Sequence, residues 1–164
     1  TIAQFTPPEL ASTSWAYSRL LFENLPLLYS IASSSLRIIS LFGAQGLANM
    51  AWSFATFSEQ HTPLLSSIAA AARRRLKDFG MQELANIALS FSRLGLRDLP
   101  LMEAIAAASI RRLSEFGSET VGRPVATVLC LVQAFASTAA PAHIEVLRAS
   151  AAALARHAGA QTDT

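Results

Sequence analysis

Three stretches of this chain are near copies of one another. They read LASTSWAYSRL from Leu10 to Leu20, LANMAWSFATF from Leu47 to Phe57, and LANIALSFSRL from Leu84 to Leu94, each 37 residues after the last. The same step links Phe5, Phe42, Phe79 and Phe116. It also links Pro26, Pro63 and Pro100, then Ile31, Ile68 and Ile105, then Arg37, Arg74 and Arg111. A unit this short cannot bury its own apolar face, whereas stacked units cover one another. The copies run 5–41, 42–78 and 79–115, with a degenerate fourth over 116–158 and a polar tail at 159–164.

Within each copy the apolar positions follow helical spacing twice. Leu47, Ala48, Ala51, Trp52, Phe54 and Phe57 predict a helix from Gln45 to Phe57 with one apolar face. After a short polar break, Pro63 and its equivalents stand where a second helix begins, because a first-turn N–H has no helical partner to lose. Thr62 and Asp98 just precede it as candidate N-caps. Leu64, Leu65, Ile68, Ala72 and Leu76 share the face of that second helix. The Phe-Gly pairs at 42–43, 79–80 and 116–117 are expected to end the second helices, with glycine in the left-handed conformation.

The expected fold is all-α: a right-handed α-solenoid of stacked antiparallel helix pairs, about four pairs in one domain over 1–158. The last pair has diverged. Val121 and Gly122 replace Leu-Ala, Pro124 falls within its first helix, and Ala126 takes the tryptophan position. Its second helix is expected near Pro141, with Ile144, Leu147, Ala151 and Leu154 on one face.

Composition narrows the function classes. The chain is 52% apolar and 15% charged, which suits a packed core and not disorder. Abundant alanine favours helices and lets them approach closely. No stretch is apolar for long enough to predict a membrane span. Cys130 is the single cysteine, so no internal disulfide can form, and its apolar run predicts a buried, inert thiol. His61, His143 and His157 are far apart, and none sits at a metal-ligand spacing from Cys, Asp or Glu. Neither a Gly-x-Ser-x-Gly elbow nor a glycine-rich phosphate loop occurs. The expectation is a non-enzymatic protein without metal, cofactor or small-molecule substrate.

Charge is placed unevenly. The formal net charge is +2, and the second copy alone carries that sum through Arg73, Arg74, Arg75 and Lys77 against Glu59 and Asp78. Arg37, Arg74 and Arg111 form a ladder near the ends of successive second helices, with Arg112 beside the last. Cations there gain about 0.3–1 kcal/mol each from the helix dipole. The same ladder could meet successive phosphates. Arg37, Arg73, Arg74, Arg75, Lys77, Arg111 and Arg112 are therefore the phosphate-binding candidates. Trp15 and Trp52 are expected in the core beside Leu10 and Leu47. Asn49 and Asn86 are expected to hydrogen-bond a neighbouring turn or hairpin.

The 37-residue length and the core F-x-x-x-x-LAN-x-x-W-[AS]-[FY] resemble the heptatricopeptide repeats of apicomplexan and related algal organelles. They are also similar to the slightly longer octotricopeptide repeats of green algae. The resemblance covers residues 5–115 well; Leu47, Ala48, Asn49, Trp52 and Phe54 match best, while Ser12 and Leu89 depart. It implies a helical-hairpin solenoid that binds organellar RNA, in some members as a structural part of a mitochondrial ribosome. By analogy with related readers, first-helix side chains would line the inner curve and face the bases. The exposed positions expected there are Thr13, Met50 and Ile87, then Ala16, Ser53 and Ser90, then Arg19, Thr56 and Arg93. Arg19, Met50, Ser53, Ser90 and Arg93 are the inner-face contact candidates. Several of these side chains are small or apolar, which favours a protein surface or an RNA backbone over base reading. The expected role is an RNA-contacting structural subunit of an organellar ribonucleoprotein, in the mitochondrion or alternatively the plastid. A protein-binding scaffold subunit and a free RNA-processing factor are the alternatives.

Overall fold

The structure is a computed structural model that describes residues 1–115, 124–136 and 144–152. Regular structure among these residues is entirely helical. The helices are α1 (Pro7–Arg19), α2 (Leu25–Arg37), α3 (Ala44–Thr56), α4 (Thr62–Arg74), α5 (Met81–Arg93), α6 (Leu99–Glu115) and α7 (Pro124–Ala136). A further helix, α8, covers 144–152. Short 3₁₀ turns at Ile2–Gln4, Ile39–Leu41 and Leu76–Asp78 lead towards α1, α3 and α5. Phe116, Val121, Gly122, Pro141, His143, Leu154, His157 and the tail at 159–164 lie outside the described residues, as does the side chain of Ala126. Pro124 is the first residue of α7, not an interior one, and proline is well tolerated there.

Adjacent helices stack. α1 packs on α3, α3 on α5 and α5 on α7 in one layer; α2 packs on α4 and α4 on α6 in a second. Each odd helix from α1 to α5 also touches the even helix that follows it. The odd layer is the more closely packed of the two. Small residues at its interfaces allow this: Ala11, Ala48, Ala51, Ala85 and Ala88 are all buried. At Gly46 an added Cβ would stand 3.2 Å from the Phe42 ring and 3.6 Å from the Ala11 methyl, so α1 lies directly against that point. Leu10, Leu47 and Leu84 fill the same depth in successive helices, each fully buried.

Helix ends differ from the sequence expectation in an instructive way. The second helices are capped by Asn24, His61 and Asp98, which share one register. Asn24 Oδ1 accepts from the Leu27 N–H at 3.1 Å, His61 Nδ1 from Leu64 at 3.3 Å, and Asp98 Oδ1 from Leu101 at 3.0 Å. Thr62 is the first helical residue, not the cap. Gly43 and Gly80 do not end helices. With φ −77° and −75° they are extended N-caps of α3 and α5. The phenylalanine before each, Phe42 and Phe79, is buried at the position of a hydrophobic staple. Thr6 takes the same place before α1 and forms a capping box with Glu9. The Thr6 N–H, then the Thr6 hydroxyl, hold the Glu9 carboxyl below its usual value.

The left-handed residues lie instead after the first helices, at Leu21, Ser58 and Gly95, with φ of 52°, 57° and 67°. Each closes a turn in which the next N–H reaches back to the helix, as Leu96 does to the Phe91 carbonyl at 2.9 Å. Leu21 is strained there and 74% exposed, so its side chain returns little burial. Leu21→Gly is expected to raise stability by about 0.5–1 kcal/mol, read as a higher thermal midpoint by circular dichroism. A lower midpoint would mean that the Leu21 side chain holds something in place.

Candidate functional site

Helix phase decides what the odd layer shows to solvent. An inner helix such as α3 is flanked by α1 and α5 and backed by α4, so more than one apolar stripe is covered. Met50, Ser53, Ile87 and Ser90 are consequently buried, against the expectation that they line an exposed face. The serine hydroxyls turn back on their own helices: Ser53 donates to the Asn49 carbonyl at 2.7 Å and Ser90 to the Asn86 carbonyl at 2.6 Å. Met50 accepts a long contact from the Ser14 hydroxyl through its sulfur, 3.6 Å away. Met50, Ser53 and Ser90 are therefore absent from the outer surface.

The outward stripe runs one step round each helix. It carries Ser12, Trp15 and Arg19 on α1, then Asn49, Trp52 and Thr56 on α3, then Asn86 and Arg93 on α5. Trp15 is 43% exposed and is not the core residue its neighbours suggested, whereas Trp52 is half-buried and packs against the core at its edge. Cations sit beside both rings. The Arg19 guanidinium lies 5.9 Å from the Trp15 ring centroid, and Arg93 reaches from α5 to within 5.8 Å of Trp52 on α3. Such pairs are worth about 0.5–1 kcal/mol at exposed sites. Among the described residues the side-chain amides of Asn49 and Asn86 bond to no neighbouring turn; their backbone carbonyls accept from Ser53 and Ser90. The tryptophan position ends at Leu89, which is buried.

The remaining basic candidates stand elsewhere. Arg37, Arg73, Arg74 and Arg111 are exposed on the even layer, and Lys77 is exposed on the third 3₁₀ turn. Arg74 Nε bonds the Ala70 carbonyl at 3.2 Å, as a cation near a helix end does. Arg75 and Arg112 are clasps. Arg75 donates through Nη1 to the Phe42 carbonyl at 2.9 Å and through Nε to Asp78 at 3.2 Å. Its equivalent Arg112 donates to the Lys77 carbonyl at 3.2 Å. Arg75 ties the end of its copy back to the segment that starts it, and Arg112 joins its copy to the 3₁₀ turn of the one before, so these donors serve the fold.

Removing this clasp with Arg75→Leu is expected to cost about 1 kcal/mol in urea unfolding, because a carbonyl is left without its charged donor. Asp78→Asn should cost less, since exposed ion pairs contribute little. Equal losses would show that the ion pair, not the carbonyl bond, is the useful contact.

Sequence reasoning missed Arg97, which lies in the connection between α5 and α6 and lines one cleft with Arg73. It has no equivalent among the earlier copies, where Glu23 and Gln60 occupy its register, so the repeat gave no signal for it. A small polar cluster forms at the α2–α4 end. The Tyr29 hydroxyl donates to Glu59 at 2.6 Å, which pushes the phenol above its usual value, and the His61 ring lies tilted against Tyr29 and edge-on to Phe54. Cys130 is half-buried, not fully enclosed. Among the described residues no three His, Cys, Asp or Glu side chains stand together as metal ligands, and no helix is long and apolar enough to cross a membrane. Neither protein-family models nor curated proteins give a match to this chain.

Proposed function

We propose that this protein is a non-catalytic helical-repeat protein that holds single-stranded RNA along the outward face of the odd helices. On this reading it is a right-handed solenoid of 37-residue repeats and a structural part of an organellar ribonucleoprotein. The observation that carries the proposal is the stripe of Trp15, Trp52, Asn49 and Asn86, edged by Arg19 and Arg93. Exposed indole surface stacks on any base, amides bond base edges, and guanidiniums meet phosphates. The closer packing of the odd layer supports an inward curve on that side, which would gather these groups along one strand.

The test is the binding of a fluorescein-labelled twelve-nucleotide oligouridine, followed against salt. The intact protein should bind and weaken steeply as salt rises. Absence of binding at low salt overturns the proposal. A second reading, a protein-binding scaffold subunit, is favoured by one patch: Leu20, Leu21 and Phe22 are 78%, 74% and 59% exposed at the α1–α2 turn.

A further inference from the structure

A second surface lies where α4 meets the end of α5 and the α5–α6 connection. There α4 and the α5–α6 connection enclose an open cleft of about 520 Å³. Its floor is apolar, with Leu65 and Phe91 buried beneath it and Leu96 at its side. Ser66 and Arg73 line it from α4, and Arg97 lines it from the α5–α6 connection. The ion pairs seen among the described residues join Arg75 to Asp78 and Arg148 to Glu145, so neither Arg73 nor Arg97 is neutralised by one. Asp98 also lines the cleft, but its Oδ1 accepts from the Leu101 N–H and is held at the start of α6.

We propose that this cleft docks an acidic segment of a partner protein, in which carboxylates flank a leucine or phenylalanine. Charge complementarity selects the carboxylates: the two guanidiniums that line the cleft outnumber the one carboxylate, that of Asp98. Leu96, half-buried at the side of the cleft, offers apolar surface to the side chain between the partner's carboxylates. RNA fits less well. Phe91 is only 2% exposed, so its ring face is not offered for stacking, and a sugar-phosphate chain has no apolar body to fill the floor. The cleft volume is in the range that takes one large side chain and its flanking groups.

The experiment uses the labelled peptide Asp-Glu-Leu-Phe-Asp-Glu in fluorescence anisotropy. Binding should weaken at least about tenfold in the Arg73→Ser, Arg97→Ser double variant, and by a similar factor when Ser-Ser replaces Leu-Phe in the peptide. Ser66→Trp, which fills the cleft and leaves both charges in place, should also abolish it while the circular dichroism melt stays unchanged. Three results would overturn the proposal. The peptide binds the double variant as well as the parent; Lys-Lys-Leu-Phe-Lys-Lys binds as tightly as the acidic peptide; or oligouridine displaces the peptide and loses affinity in the same variants, which would make the cleft a phosphate site.

Discussion

Replacing Phe54 with alanine is expected to lower stability by about 3–5 kcal/mol, a larger loss than Arg75→Leu would cause and opposite in sign to Leu21→Gly. Phe54 is fully buried in α3, the middle helix of the closely packed odd layer. Its ring meets His61 edge-on, with centroids 6.0 Å apart, so it also supports the cap of α4. Ala51 and Ala55 flank it on its own helix and are too short to fill the space it would leave. The loss is a large share of the 5–15 kcal/mol typical of a folded domain. Urea unfolding followed by circular dichroism measures it as a lower midpoint. Phe54→Leu keeps most of the volume and should cost about 1.5 kcal/mol or less. A loss below about 1 kcal/mol for Phe54→Ala would mean that the neighbouring helices close over the gap, and that the stack is softer than its burial indicates.

The second large effect concerns RNA. Trp15→Ala together with Trp52→Ala should weaken oligouridine binding sharply, because each stacked base contributes about 1–3 kcal/mol, or about 5- to 150-fold. Arg19→Ser with Arg93→Ser should act differently. It should flatten the salt dependence by about 0.7 in logarithmic slope for each phosphate no longer neutralised. Arg73→Ser with Arg74→Ser lies on the other layer and should leave binding nearly unchanged. This contrast separates the odd-layer surface from the basic cluster that stands out in the sequence. If the even-layer pair carries the affinity and the tryptophans carry none, the RNA face has been placed on the wrong side of the stack.

The register of the elements is legible in the chain itself. α1, α3 and α5 begin at Pro7, Ala44 and Met81, and α2, α4 and α6 at Leu25, Thr62 and Leu99, in step with the copies of the sequence. Helical periodicity and proline placement are local signals, and local signals survive without knowledge of neighbours. The roles of Gly43 and Gly80 were not legible, because a glycine between two helices serves either one. The three-dimensional path shows that a 3₁₀ turn follows α2 and α4, leaving each glycine to start the next helix. Ile38 stands where Arg75 and Arg112 do, and it packs against the core while they reach across to the preceding turn. That distinction depends on an atom some 35 residues away in the chain.

What the sequence determined by itself was an all-α chain of repeated helix pairs, because 37-residue periodicity and apolar spacing are written along the chain. What only the tertiary structure decided was which residues remain outside. Met50, Ser53 and Ser90 disappear between helices that flank α3 and α5, whereas Trp15 stays open on α1. Exposure is a property of the neighbours a residue acquires. A side chain's own chemistry does not specify how many sides of its helix will be covered.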